Sequence, residues 1–111
     1  MGKRERGAGD GGRTDRLREL IREELNFLLR GELRDPRLHG VTFTMVELSG
    51  DCARAWFVAE NEREALEALE GAAGFLRNDL CESLGLKRTP ELRFRRDPVS
   101  RLLAPGSKEM A

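Results

Sequence analysis

Two alternating segments joined by a short polar turn constrain the fold of this chain more than any other feature of its sequence. In VTFTMVEL (41–48), apolar residues alternate with threonine and then slip by one position, which predicts a strand with a β-bulge near Met45. ARAWFVA (53–59) alternates along its whole length and predicts a second strand. Because only SGD and one cysteine separate the two, we expect a hairpin whose apolar face must be covered.

Helical periodicity precedes the hairpin. Leucine and isoleucine recur at every third or fourth position over residues 15–30, which predicts an amphipathic helix. Thr14 or Asp15 is the expected N-cap and Gly31 the expected end. The connector that follows contains Asp35 and Pro36, and a residue before proline disfavours helical backbone.

Two further helices and one strand follow the hairpin. Residues 62–72 place alanine and leucine on one face and glutamate on the other, while 75–84 carry an apolar stripe that includes Phe75. Gly85 is the expected end of the last helix, and ELRFR (91–95) alternates as a third strand. The order helix, strand, strand, helix, helix, strand predicts an α+β domain with a three-stranded sheet and helices on one face.

The two ends of the chain lack these patterns. The first thirteen residues are charged and glycine-rich without an apolar run, which excludes a secretory signal. We expect a flexible arm at 1–13, one domain at 14–97 and a flexible tail at 98–111. No stretch approaches the roughly 18 apolar residues of a membrane span, so we expect a cytoplasmic protein that does not enter a membrane.

The sequence lacks the residue sets that catalysis or metal binding requires. His39 is the only histidine, and Cys52 and Cys81 lie far apart, so no zinc ligand set is present. Neither a P-loop nor a GxGxxG motif occurs. We therefore expect a protein that is not an enzyme, with reduced cysteines and with no metal, no cofactor and no small-molecule substrate.

Small residues interrupt the helical pattern in EGAAGFLRND (70–79). Glycine inside a helix costs roughly 1 kcal/mol relative to alanine, so its presence needs a reason. Ala72, Ala73 and Gly74 permit a sharp bend and the close approach of another backbone. The helix that follows points its first N–H groups at this bend, which suits a phosphate, and Arg77 lies in its first turn. The alternative is that the small residues only allow tight helix packing.

Four stretches, in this order, carry a family resemblance. They are the connector RDPRL (34–38), the hairpin TFTMVELSGDCARA (42–55), the kink AAGFLRNDL (72–80) and the strand TPELRFRRD (89–97). Together they resemble the ribosome-binding factor A family of KH-like ribosome assembly factors. The resemblance implies a type II KH topology, in which an Ala-x-Gly kink occupies the place of the GXXG loop that grips nucleic-acid backbone.

The resemblance also implies a function and partners. Members bind the immature small (30S) ribosomal subunit and its rRNA, assist late maturation and 16S rRNA processing, and are linked to growth in the cold. The same resemblance implies a cytoplasmic monomer. Two alternatives stay open on the sequence alone: a KH-like domain that binds another RNA, and a protein-interaction module that uses the open face of the sheet.

RNA binding requires cations aimed at phosphates. Our first candidates are Arg77, Lys87 and Arg88, which lie at the two ends of the helix predicted at 75–84. The next is Arg37 in the proline connector, followed by Arg13 in the arm and Arg16 in the first helix. The glutamates between 60 and 70 are expected to face away from RNA.

A second surface competes with the kink. Arg54, Trp56, Arg93 and Arg95 are expected to share the open face of the sheet, where the indole ring can stack an unpaired base. The alternative is that the arginine stems only shield the ring from water.

Overall fold

A computed structural model describes residues 2–88 and 90–98, with side chains described from Thr14 onward. The elements are α1 (Gly2–Gly31), a 3₁₀ turn (Pro36–Leu38), β1 (Thr42–Ser49), β2 (Cys52–Val58), α2 (Glu62–Gly71), α3 (Ala73–Leu84) and β3 (Glu91–Arg96). This order confirms the predicted α+β class and the KH-like topology.

The sheet has the strand order β1-β2-β3, with β2 in the centre. β1 pairs antiparallel with β2, and β2 pairs parallel with β3. The register shifts between Phe43 and Met45, so Thr44 is an extra residue in β1 and the predicted bulge is confirmed. On the central row, Trp56 lies opposite Met45 on one side and Arg95 on the other.

The helices cover one face of the sheet. The apolar side chains of this face are buried against the inner faces of all three helices. The largest fully buried side chains of the resulting core are Phe43 and Phe57 from the sheet and Ile21, Leu25, Leu28, Leu69, Leu76 and Leu80 from the helices. On the other face Met45 is 43% exposed. The second face therefore stays open, as the sequence predicted.

A buried asparagine fastens α1 to the edge strand β1. The Asn26 side chain donates to the Phe43 carbonyl at 3.0 Å and accepts from the Phe43 N–H at 2.8 Å. An edge strand leaves one row of backbone groups without a strand partner, and this side chain pairs two of them next to the bulge. The contact fixes where α1 lies on the sheet.

Helix ends agree with the sequence at Gly85 and disagree at the N-terminus. Gly85 closes α3 in the left-handed conformation (φ 65°), which glycine adopts at no steric cost. α1 begins at Gly2, so the expected cap at Thr14 or Asp15 is wrong. A helix already formed extends cheaply, because each added residue gains a hydrogen bond. The division into arm, domain and tail stays a prediction, and 99–111 lie outside the described residues.

Two apolar side chains that the periodicity placed in the core are exposed instead. Phe75 is 46% and Leu20 is 38% exposed. In α3 the core is filled by Leu76 and Leu80, which leaves Phe75 beyond the edge of the buried stripe. An apolar pattern gives the direction of a helix face, while neighbouring elements decide how wide the buried part of that face is.

Candidate nucleic-acid interface

The joint between α2 and α3 is a single residue, Ala72, with φ −94° and ψ 2°. Its N–H donates to the Ala68 carbonyl, and its own carbonyl accepts from Leu76 at 2.9 Å. The amides of Ala73 and Gly74 thus come before the first hydrogen bond of α3. The chain bends at the predicted position instead of continuing as one helix.

Packing accounts for the alanines of the joint but not for its glycines. Ala72 and Ala73 are half-buried and packed against the core. Gly71 and Gly74 are exposed, neither has a positive φ, and a Cβ added at either would meet no atom of the described residues within 4 Å. Neither the fold nor the backbone conformation requires glycine at these positions, so the open space beside them is available to another molecule.

Gly71 and Gly74 also have the spacing of a GXXG loop, which in KH domains clamps nucleic-acid backbone. Gly71 was not among the predicted kink residues, which began at Ala72. The letters GAAG were the signal that identifies it.

Two shallow grooves border the joint. The first, the connector groove, holds about 270 Å³ between the 3₁₀ turn and the joint; its lining includes Arg34, Arg37, Gly71 and Ala72. The second, the edge groove, holds about 250 Å³ along the outer edge of β3, and its lining is Glu70, Ala73, Glu91, Leu92, Arg93, Phe94 and Arg95. We call the joint, these grooves and Arg77 the kink site.

Arg37 reaches the kink site but is already paired. Its Nη2 and Nε donate to the Asp35 carboxylate at 2.7 Å and 3.1 Å, and its Nη1 lies 3.9 Å from Glu67. The hydrogen bonds from Arg37 hold the pKa of Asp35 below its usual range, and the same contact raises the pKa of Arg37. A phosphate at Arg37 would therefore compete with a carboxylate.

Of the other described cations of the kink site, Arg93 pairs with Glu91 at 2.9 Å and the remaining three are unpaired. Arg77, the fifth residue of α3, is exposed and makes no hydrogen bond or ion pair within the described part of the chain. The same holds for Arg34 in the connector groove and Arg95 in the edge groove. Sequence reasoning missed Arg34 although it opens the RDPRL motif, and it assigned Arg95 to the open face alone. Arg34 and Arg95 come close to the joint only because segments distant in sequence pack together, which the sequence does not show.

Three predicted cations lie elsewhere. Lys87 and Arg88 line a hollow of about 310 Å³ with Leu17 and the β1–β2 turn, and Arg16 adjoins Leu17. This hollow is at the far end of α3, whose 12 residues span about 18 Å. Arg88 also lies 3.4 Å from Asp51. The structure thus separates them from the joint.

Arg13 lies in α1, and its side chain is outside the described ones.

The open sheet face carries the four residues predicted for it, but most of its positive charge is neutralised. Arg54 pairs with Glu47 at 3.1 Å, and Arg93 pairs with Glu91 at 2.9 Å. The indole N–H of Trp56 is covered and has no hydrogen-bond partner among the described residues. Arg95, which lies opposite Trp56 on β3, also borders the edge groove. The kink site is therefore the better candidate for a polyanion.

Neither metal binding nor membrane insertion is indicated within residues 2–88 and 90–98. No group of three histidine, cysteine or acidic side chains is placed to hold a metal ion there. Over the same residues, no helix has the length and apolar content needed to cross a bilayer.

Comparisons with known proteins agree on one family. A family model described as ribosome-binding factor A matches residues 13–102. The chain is 44% identical over 91 residues to the ribosome-binding factor A of Thermomicrobium roseum, covering 77% of this chain and 70% of that protein. It is 42% identical over 93 residues to that of Koribacter versatilis, covering 78% and 76%. The crystal structure of ribosome-binding factor A from Thermus thermophilus superposes with a TM-score of 0.70 at 29% identity, covering 75% of this chain and 94% of that one.

Proposed function

The chain belongs to the ribosome-binding factor A family, and from this premise we propose that it binds the immature small (30S) ribosomal subunit through its rRNA. It assists late maturation and 16S rRNA processing there, acts as a cytoplasmic monomer and catalyses no reaction. Family membership supports the ribosome as the partner. The kink site supports RNA as the component that is contacted.

The observation that carries the proposal is the pair of open glycines beside unpaired arginines. Gly71 and Gly74 let a sugar–phosphate backbone approach the main chain closely, because no side chain of the described residues occupies that space. The N-terminal end of α3 is positive and favours a phosphate. Arg77 and Arg95 can then add charge-assisted hydrogen bonds without first breaking an ion pair to any described residue.

Acidic side chains limit where the RNA can lie. Glu70 lines the edge groove and Glu67 lies 3.9 Å from Arg37, so these two glutamates of α2 border the kink site. A polyanion is repelled by these carboxylates. In the proposed complex the RNA strand crosses the joint on the side of Arg77, and the outward face of α2 stays in solvent.

Co-sedimentation with ribosomal particles tests this function. The protein is expected to migrate with immature small subunits and not with complete ribosomes. The Arg77→Ala variant should lose about five-fold in affinity, the net worth of one hydrogen-bonded phosphate contact. Arg63→Ala is the matched control, because Arg63 is exposed near the start of α2 and also unpaired among the described residues. Equal affinities of the two variants, or migration with a different RNA, would contradict the proposal.

A further inference from the structure

A second surface of the molecule combines exposed apolar side chains with a carboxylate pair. It lies on the seam between α1 and α3, on the side away from the sheet. Phe27 is 57% exposed, and Phe75 and Leu20 are the other large apolar side chains exposed on the described parts of these two helices. Three such residues on two neighbouring helices are more than scattered surface apolar groups, which need no explanation.

The contacts between the helices show that these residues form one stripe. Glu24 of α1 interacts with Asp79 and Ser83 of α3. Near the start of the packed part of α1, Leu17 lines the same hollow as Leu86, which follows α3. The two helices therefore run antiparallel.

Helical spacing then places the apolar residues around the carboxylates. Leu20 precedes Glu24 by four residues and Phe27 follows it by three, so all three share one face of α1. Phe75 precedes Asp79 by four residues and shares its face of α3. Because the helices are antiparallel, Phe27 and Phe75 lie on the same side of the carboxylate pair, and Leu20 lies on the opposite side.

The pair itself is unfavourable in the isolated protein. Two carboxyl groups in contact disfavour the state in which both are charged. Glu23 and Glu82 add further negative charge near the centre of the same two faces, while Arg16 and Arg30 lie beyond Leu20 and Phe27 on α1. The seam thus presents a negative centre between two apolar ends, about 10 Å from Leu20 to Phe27 at 1.5 Å per residue.

We propose that this seam docks a basic, amphipathic protein segment of the ribosomal particle, with a lysine or arginine of that segment between Glu24 and Asp79. Apolar side chains of the segment one turn to either side contact Leu20 and the two phenylalanines. Charge complementarity selects this occupant, because RNA is repelled by the carboxylates and a second copy of the chain would bring two acidic seams together. The proposal rests on the proposed function, since the particle supplies the partner.

Photo-crosslinking on the particle tests the proposal. The variant Phe27→p-benzoylphenylalanine is bound to immature small subunits, the complex is isolated by sedimentation and irradiated, and the crosslinked peptide is identified by mass spectrometry. The matched control carries the probe in place of Glu64, on the exposed face of α2. We expect the probe at position 27 to crosslink to a lysine- or arginine-containing segment of a ribosomal protein, and the control probe not to do so.

A charge variant tests the role of the carboxylates. Glu24→Gln combined with Asp79→Asn keeps the side-chain shapes and should lower the crosslink yield at position 27 at least three-fold, with co-sedimentation unchanged. Crosslinks to rRNA or to a second copy, a yield no higher than the control, or a yield indifferent to the double substitution would overturn the proposal. If the unsubstituted protein fails to co-sediment, the proposed function itself fails, and the seam proposal falls with it.

Discussion

At the scale of single residues, Asn26 makes the most specific contact in the core. Its buried side chain holds both backbone groups of Phe43 at the point where β1 bulges. No periodicity reveals such a residue, because its partner lies 17 positions away and is a main-chain group. The sequence predicted the bulge and not the side chain that fastens it.

We expect Asn26→Ala to destabilise the protein by about 1–3 kcal/mol, the cost of leaving buried backbone groups unpaired. Thermal unfolding followed by circular dichroism measures the loss. Asn78→Ala is the control, since Asn78 is exposed on α3 and its substitution should change stability by less than about 0.5 kcal/mol. Similar melting temperatures for the two variants would show that the contact to Phe43 is not stabilising.

Glu24 gives a pH-dependent prediction at the same scale. A hydrogen bond with Asp79 and, next, burial raise the pKa of Glu24. A carboxyl group whose pKa is raised by folding stabilises the protein below its ordinary pKa, and this stabilisation is lost as the pH rises through the raised value. At pH 7 the pair therefore opposes folding.

Glu24→Gln should accordingly raise the free energy of unfolding at pH 7 by about 0.2–1 kcal/mol, the range of exposed charge pairs. The gain should vanish as the pH falls below the ordinary range of glutamate, where the native side chain is protonated. Urea unfolding at several pH values measures both effects. A gain that is the same at every pH, or one matched by substitution of the exposed neighbour Glu23, would contradict this account.

At the scale of elements, the joint between α2 and α3 links fold to function. The alanines of the joint are explained by packing, whereas its two glycines face open space. Stability and the proposed binding of RNA thus make opposite demands at Gly74. A natural protein retains a helix-weakening residue when its absence would impair binding.

Gly74→Ala should therefore stabilise the free protein by about 0.5–1 kcal/mol and weaken its binding to immature subunits several-fold. Thermal unfolding and co-sedimentation on the same preparation measure the two effects. Gly31→Ala is the control, because Gly31 is equally open at the end of α1 and lines neither groove. If the alanine variant at position 74 binds as well as the native protein, no backbone approaches there.

The same elements show how far a sequence specifies such a site. Strand alternation, the bulge and the Gly85 stop are local patterns, and the structure confirms all three. The neighbours of the joint are not local. Arg95 lies near the joint because β3 pairs parallel with β2 and becomes an edge strand. Arg34 lies near it because the connector folds against α2. Lys87 follows α3 in sequence, and the length of α3 separates it from the joint.

The sequence also did not show which arginines form ion pairs with carboxylates. Arg37 and Arg88 are cations in a count of residues, but each faces a carboxylate in the fold. Asp35 lies two positions from Arg37, so that pair was recognisable in the motif RDPRL. The pairing of Arg88 with Asp51 joins residues 37 positions apart and depends on how the hairpin turn meets the end of α3.

At the scale of the whole molecule, a net charge of zero conceals three separate surfaces. The kink site offers unpaired arginines and open backbone, the far end of α3 offers Lys87 with a paired Arg88, and the α1–α3 seam is acidic and apolar. We propose that RNA binds at the first surface and a protein segment at the third. In this proposal phosphates bind at the kink site and not at the far end of α3.

The salt dependence of binding to immature small subunits tests this claim most directly. Each lost phosphate contact removes about 0.7–0.9 from the slope of log affinity against log salt concentration. The double variant Arg77→Ala/Arg95→Ala should therefore lower the slope by about 1.4–1.8, while Lys87→Ala/Arg88→Ala, which removes the same charge, should leave it unchanged. A slope that falls for the second pair and holds for the first would place the RNA at the opposite end of the molecule and contradict the account.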